Sequence, residues 1–198
     1  MIILETERLI LRHFTMADMD ELYTLVYVDE AVKSTWSSAT GRPSEIKARF
    51  AQNHVEPDGD FGFRAVVRKT DDQLIGLMGF QQHLPDEDHG YLLSETMPHR
   101  TISDDPHFIE VELTYAIGRP YWKQGYATEM GLALIRQGFK VYKFSRIIQG
   151  ILGHNHNSIN LMRRLGFRIE KQLHGNGVVG VLDDYKEWQQ NFLTKKSG

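Results

Sequence analysis

The stretch that decides the fold is Glu112-Leu113-Thr114-Tyr115-Ala116-Ile117, followed by Gly118-Arg119-Pro120-Tyr121-Trp122-Lys123-Gln124-Gly125-Tyr126-Ala127-Thr128-Glu129 and a long apolar-periodic segment. An alternating run of β type meets Gly118 and Pro120, turns, and re-emerges as a helix whose first turn holds the small residues Gly125, Ala127 and Thr128. The first amides of a helix have no intrahelical acceptor, and the aligned peptide dipoles add partial positive charge at the same end. A strand feeding a glycine-containing loop and a helix N-terminus therefore suits an anion, most often phosphate. On Gly125 alone, an ordinary strand-to-helix turn is the simpler reading.

Working outward, Phe108 to Ile117 reads as a strand with Glu110, Glu112 and Thr114 on one face and Ile109, Val111, Leu113 and Tyr115 on the other. Carboxylates in a sheet that is otherwise buried are costly unless they face a cleft, which singles out Glu112, with Glu110 as the competing acid. The helix from about Tyr126 to Tyr142 is apolar nearly all round, with Glu129, Arg136, Lys140 and Lys143 as a narrow solvated stripe. Ser145 to Leu152 reads as the next strand. In Asn155-His156-Asn157-Ser158-Ile159-Asn160-Leu161-Met162-Arg163-Arg164-Leu165-Gly166-Phe167, Asn or Ser caps a helix and Gly166 stops it. Phe167 to Leu173 and Val178 to Trp188 read as the last two strands, joined through Gly175-Asn176-Gly177.

Toward the start, Arg8 to Phe14 predicts a strand, and Thr15-Met16-Ala17-Asp18 caps a helix carrying Met19, Leu22, Tyr23 and Val26. A second helix follows Pro43, with Ile46 and Phe50 inward; Trp36 and Phe50 are candidates for an acceptor pocket or for core. Phe61 to Lys69 and Leu74 to Gln82 form a hairpin around Thr70-Asp71-Asp72-Gln73, with Gly76 and Gly79 marking a bulge or a close backbone approach. Residues 83–106 read as a long lid or subunit contact, and His83, His89 and His99 lack compact metal-ligand spacing.

Two motifs carry a family resemblance. Tyr121-Trp122-x-x-Gly125-Tyr126-Ala127-Thr128-Glu129 resembles the pyrophosphate-binding loop of the GNAT superfamily of acyl-CoA-dependent N-acyltransferases, in particular the branch of ribosomal-protein N-terminal acetyltransferases. Asn155-x-x-Ser158 with Gly166-Phe167 resembles the CoA-side helix of the same enzymes, and Thr6-Glu7-Arg8-Leu9-Ile10-Leu11-Arg12 their opening strand. The resemblance implies one α/β domain over residues 1–193, a mixed, mostly antiparallel twisted sheet of about six to seven strands flanked by about four helices, with 194–198 as a disordered tail.

The activity implied is N-acetylation of a primary amine by direct transfer from acetyl-CoA, without a metal. By resemblance, the amides of Lys123, Gln124, Gly125, Tyr126, Ala127 and Thr128 hold the cofactor's pyrophosphate. Tyr115, Ala116 and Ile117 would pair with pantetheine where the fourth and fifth strands splay, a backbone N–H near Ala116 or Ile117 meeting the oxyanion, and Asn155 would bond the same arm. Arg119, Lys123 and Arg163 could reach phosphates. Glu112 is the implied base and Ser158 the implied donor to the thiolate.

Two positions depart from the family pattern: Lys123 stands at a usual glycine, and Met162 where many members have a proton-donating tyrosine. They keep open a catalytically inactive acyl-CoA-binding module, and a nucleotide-binding regulator is a third reading. The acceptor stays open among a protein N-terminus, an aminoglycoside, a polyamine and a small amino compound.

Composition bounds the rest. The 198 residues suit one globular domain, and a net charge of -3 disfavours nucleic acid as primary partner. With no cysteine there is no thiol nucleophile, thiolate metal site or disulfide. No apolar run is long enough to span a bilayer and the start lacks a signal-peptide pattern, so a soluble, cytoplasmic monomer or homodimer is expected.

Overall fold

The computed structural model describes residues 1–35, 43–56, 59–82, 108–172 and 175–193. The expectations for Trp36, for 83–106 with its histidines, and for the 194–198 tail lie outside these. Eight strands are described: β1 (Ile2–Glu5), β2 (Leu9–Arg12), β3 (Arg64–Arg68), β4 (Gln73–Gln82), β5 (Glu110–Ile117), β6 (Arg146–Ile151), β7 (Arg168–Lys171) and β8 (Val178–Leu182). Six α-helices accompany them: α1 (Met19–Leu22), α2 (Glu30–Lys33), α3 (Pro43–Phe50), α4 (Tyr126–Lys140), α5 (His156–Leu165) and α6 (Tyr185–Leu193). The hydrogen-bonded order is β1-β2-β3-β4-β5-β6-β8-β7, and of the registers described only β5 with β6 is parallel. This is the mixed, mostly antiparallel sheet that the sequence predicts; the strand beyond the expected number is β1, split from β2 by Thr6-Glu7-Arg8.

The chain divides into two compact units, one of Met1–Gln81 with Thr114–Leu134, the other of Gln82–Leu113 with Ile135–Gly198. In the first, the β3–β4 hairpin closes through Asp72 in the left-handed conformation (φ 55). Its register slips between Val66 and Val67, so β4 bulges beside Gly76. A Cβ on Gly76 would stand 2.2 Å from the Ala116 carbonyl, and one on Gly79 would stand 2.0 Å from that of Gly62. The two glycines thus mark both a bulge and close backbone contact.

The core of this unit is built from Phe14, Leu22, Val26, Val32, Phe50, Ala65, Val67, Leu74, Leu77 and Ala116, with Trp122 packed against it. Phe50 is therefore core. Two stretches, Tyr23–Val28 and Ala51–Val55, wind as π-helical turns and carry Tyr27 and His54, whose hydroxyl and Nε2 lie 3.2 Å apart. His54 stacks between Phe50 (4.9 Å) and Phe63 (5.0 Å) and meets Phe14 edge-on. Beside it the wholly buried Arg64 donates from Nη1 to the Phe63 carbonyl (2.8 Å) and from Nη2 to the carbonyls of Gly59 (2.8 Å) and Phe61.

In the second unit, β6 and β8 build a small core of Ile148, Val179 and Val181. The expected last strand to Trp188 is corrected here: β8 ends at Leu182, Asp183-Asp184 breaks it, and Asp184 Oδ1 caps α6 by accepting from the Glu187 amide (2.9 Å). Trp188 lies on that helix, its indole donating to the Leu165 carbonyl (2.7 Å). No described helix is long and apolar enough to cross a membrane.

Burial, and secondarily the Arg64 cation, depress the His54 pKa to about 4, against about 6.5 when unfolded. The unfolded chain then binds more protons between these values, so the stability is complete above pH 6.5 and falls as pH drops toward 4. Urea unfolding at pH 7.5 and 4.5 should show about 2–3 kcal/mol more acid loss in the native chain than in His54→Phe. Equal losses would remove His54 from the account.

Candidate active site

The loop between β5 and α4 braces itself. The Tyr121 amide donates to the Gly118 carbonyl (2.9 Å), Trp122 Nε1 to the Ile117 carbonyl (2.5 Å), and Gln124 Nε2 to the Pro120 carbonyl (2.8 Å). The Gly118 amide returns to the Ile75 carbonyl at 2.9 Å, tying the loop to β4. Two residues then take left-handed backbone: Lys123 at φ 60 and Gly125 at φ 84. Lys123, at the position where the resemblance expects glycine, thus adopts a backbone that favours glycine, at a cost of about 1–2 kcal/mol. Lys123, Gln124 and Gly125 are exposed; Ala127 and Thr128 are half-buried, and Tyr126 is buried.

Helix α4 opens with the Glu129 amide bonding the Gly125 carbonyl (2.9 Å), leaving the preceding amides of the turn without intrahelical acceptors. Glu129 is not part of a solvated stripe, as its spacing suggested. Its Oε1 accepts from the Thr6 hydroxyl (2.6 Å) and the Arg8 amide (2.9 Å), and its Oε2 from Arg8 Nε (2.6 Å). Burial pushes its pKa up, but these bonds outweigh it and hold the carboxyl below its ordinary value. Arg119 is largely exposed, and its Nε pairs with Asp29 (3.0 Å).

On β5, the alternation holds through Leu113 and then changes: Val111 and Leu113 are buried, Glu112, Thr114 and Tyr115 half-buried, and Ala116 and Ile117 both buried. The parallel ladder with β6 runs from Glu110↔Arg146 to Glu112↔Ile148 and ends, although β5 continues to Ile117 and β6 to Ile151. At that end the Gly150 amide points at Glu112 Oε1, at 3.4 Å. Glu110 differs sharply, being buried in an ion pair with Arg146, which also covers the Phe108 ring at 5.0 Å. Thr114 Oγ1, two residues beyond Glu112 on the same face, is buried and has no hydrogen-bond partner among the described residues.

On α5, Asn155 Oδ1 caps the helix by accepting from the Ser158 amide (3.1 Å), so its Nδ2 is the group by which it could reach a ligand. Ser158 is 7% exposed. Met162 is fully buried, and a Cβ on Gly180 would lie 3.5 Å from its Cγ; this position has become packing. Arg163 is exposed, its Nη1 3.4 Å from Asn160 Oδ1. The fold brings Lys123 to Thr128 together with Arg8 and Glu129 in one unit, and Glu112 with Gly150 in the other. Among the described residues no group of three or more histidines and carboxylates could hold a metal ion.

Compared with known proteins, residues 8–168 match the model of the acetyltransferase (GNAT) domain. The chain belongs to the GNAT acetyltransferase family. It is 26% identical to the uncharacterized N-acetyltransferase p20 of Bacillus licheniformis, over 93% of this chain and 87% of that one. Among solved structures, a GNAT acetyltransferase from Bacillus anthracis superposes with a TM-score of 0.67 at 20% identity, covering 92% of this chain and 98% of its own. A Vibrio cholerae protein assigned by name as a ribosomal-protein-serine acetyltransferase gives 0.60 at 20% identity, covering 93% and 98%. These structures share the fold of this GNAT chain.

Sequence reasoning passed over Thr114, and read Thr6, Arg8 and Glu129 as separate motif residues without the bonds that join them. The signal for the latter was a basic Arg8 in one motif and an acidic Glu129 in the other, each motif quoted for its family likeness alone. The left-handed loop gives a direct test. Lys123→Val places a β-branched residue at φ 60 and should lower stability by about 1–2 kcal/mol, roughly 2–8 °C in Tm, whereas Lys123→Gly should not. Calorimetric melts of both variants decide it; an unchanged melt for Lys123→Val would contradict this backbone.

Proposed function

We propose that this GNAT chain is an acetyl-CoA-dependent N-acetyltransferase acting on a primary amine in the cytoplasm. The observation that carries the reading is the Lys123–Thr128 loop: left-handed residues at Lys123 and Gly125 lead into α4, a backbone suited to an anion of pyrophosphate type. The cofactor would supply the activated acetyl group as a thioester. The residues divide the remaining work. Amides of Lys123, Gln124, Gly125, Tyr126, Ala127 and Thr128 bind phosphate oxygens; Tyr115, Ala116 and Ile117 lie along pantetheine, where an amide of Ala116 or Ile117 meets the oxyanion. Thr114 Oγ1, buried and without a partner among the described residues, fits a polar ligand on the same strand.

Attack by nitrogen requires the neutral amine, and Glu112 takes its proton, directly or through one water. Glu110 is a poor rival because its charge is already spent on Arg146. As the tetrahedral adduct collapses, the thiolate leaves and Ser158 gives it a hydrogen bond or proton. Asn155 Nδ2 orients the pantetheine arm, and Arg163 adds positive charge for the phosphates.

The burial of Met162 supports one second reading, a binder of acyl-CoA that lacks turnover. Acetyl-CoA mixed with a panel of amines separates the two: thiol release shows transfer, and its absence with CoA still binding shows a binder. The panel includes peptides beginning with serine, following the name borne by the Vibrio cholerae relative, alongside polyamines and aminoglycosides. With an accepted amine in hand, Glu112→Gln should lower kcat by about 10²–10⁴-fold and Ser158→Ala by about tenfold or more. Glu110→Gln should instead lower Tm, because it strands a buried arginine. Full turnover in Glu112→Gln would end its assignment as base.

A further inference from the structure

We propose that Arg8 is the positioning residue of the anion-binding loop, setting the direction in which the loop's amides point. The inference rests on the reading of that loop as the acetyl-CoA site, and it concerns how the loop is held. Three contacts meet in one guanidinium. Nε donates to Glu129 Oε2 (2.6 Å), Nη1 donates to the Gln124 carbonyl (3.1 Å), and the group covers the Tyr126 ring at 4.6 Å. Nη2 lies 3.4 Å from where a Cβ on Gly125 would stand, so the cation is seated against the loop's own backbone. The Arg8 amide and the Thr6 hydroxyl complete the grip on Glu129 Oε1 (2.9 and 2.6 Å).

The decisive bond is the one to the Gln124 carbonyl. In a trans peptide the C=O and the following N–H lie in one plane and point in opposite directions, and this chain has no cis bond among the described residues. Holding the Gln124 oxygen against Arg8 therefore aims the Gly125 amide the opposite way, away from the guanidinium. This peptide plane lies between the Cα atoms of Gln124 and left-handed Gly125 (φ 84), so it could otherwise flip at little steric cost on the glycine side. The Glu129 bond anchors the same guanidinium one turn into α4, so the loop amide and the first helical turn share one reference point. A lysine could offer charge here but not a planar fork reaching two acceptors and stacking on a ring.

Removing the fork should act on cofactor binding more than on chemistry. Arg8→Ala is expected to raise the Kd for free CoA and the KM for acetyl-CoA by about 10–100-fold, with saturated kcat within about threefold, and Arg8→Lys should recover little of this. In the ligand-free protein, amide hydrogen exchange at residues 125–128 should quicken by about tenfold or more in Arg8→Ala while exchange in β6 and β8 stays as in the native chain. A variant that loses only Tm, with unchanged exchange at 125–128 and unchanged CoA affinity, overturns the proposal. Failure of the native chain to bind CoA would instead sink the functional reading, and the exchange measurement would still decide the role of Arg8.

Discussion

One carboxylate ties the beginning of the chain to the middle. Glu129 lies 121 residues beyond Arg8, yet it accepts from the Thr6 hydroxyl, the Arg8 amide and the Arg8 guanidinium. A partly buried carboxylate with three donors is stable as an anion and intolerant of their loss. The connection between β1 and β2 is therefore more than a turn: it fixes where α4 begins, and α4 begins at the loop proposed to hold the cofactor. Lys69, bonded to Glu5 (2.8 Å) and to the Thr6 carbonyl (2.7 Å), secures the same connection from the neighbouring hairpin.

Much of this was legible from residue order. The alternation of Glu110 to Leu113, the Gly118 and Pro120 turn, the Asn155 cap and the Gly166 stop all act within a few residues, so local stereochemistry writes them directly into the sequence. The family and the mixed sheet followed from those motifs.

What escaped the sequence is what depends on distant partners. Glu129 shares a helical line with Arg136 and Lys140, and periodicity has no means of knowing that Arg8 waits for it. Glu110 and Glu112 have identical spacing and chemistry; only the arrival of Arg146 beside one of them tells the two apart. Val178 to Val181 has the β-branched opening of a strand, and the break at Asp183-Asp184 is a capping event that such an opening does not foretell. Met162, which stands where the resemblance expects a proton-donating tyrosine, is fully buried beside Gly180, a packing contact that residue order does not reveal.

The π-helical turns at Tyr23–Val28 and Ala51–Val55 have an evolutionary corollary. Such a turn is one residue wider than an α-turn, so it corresponds to a single inserted amino acid that the helix has accommodated without unwinding. Excising one residue from either segment would restore ordinary winding and remove the wide turn that carries Tyr27 or His54. Tyr27 and His54 would then no longer meet. Length variation among relatives in these two segments should therefore be correlated with the identity of that pair, a signature to be sought in gene lineages rather than in any one molecule.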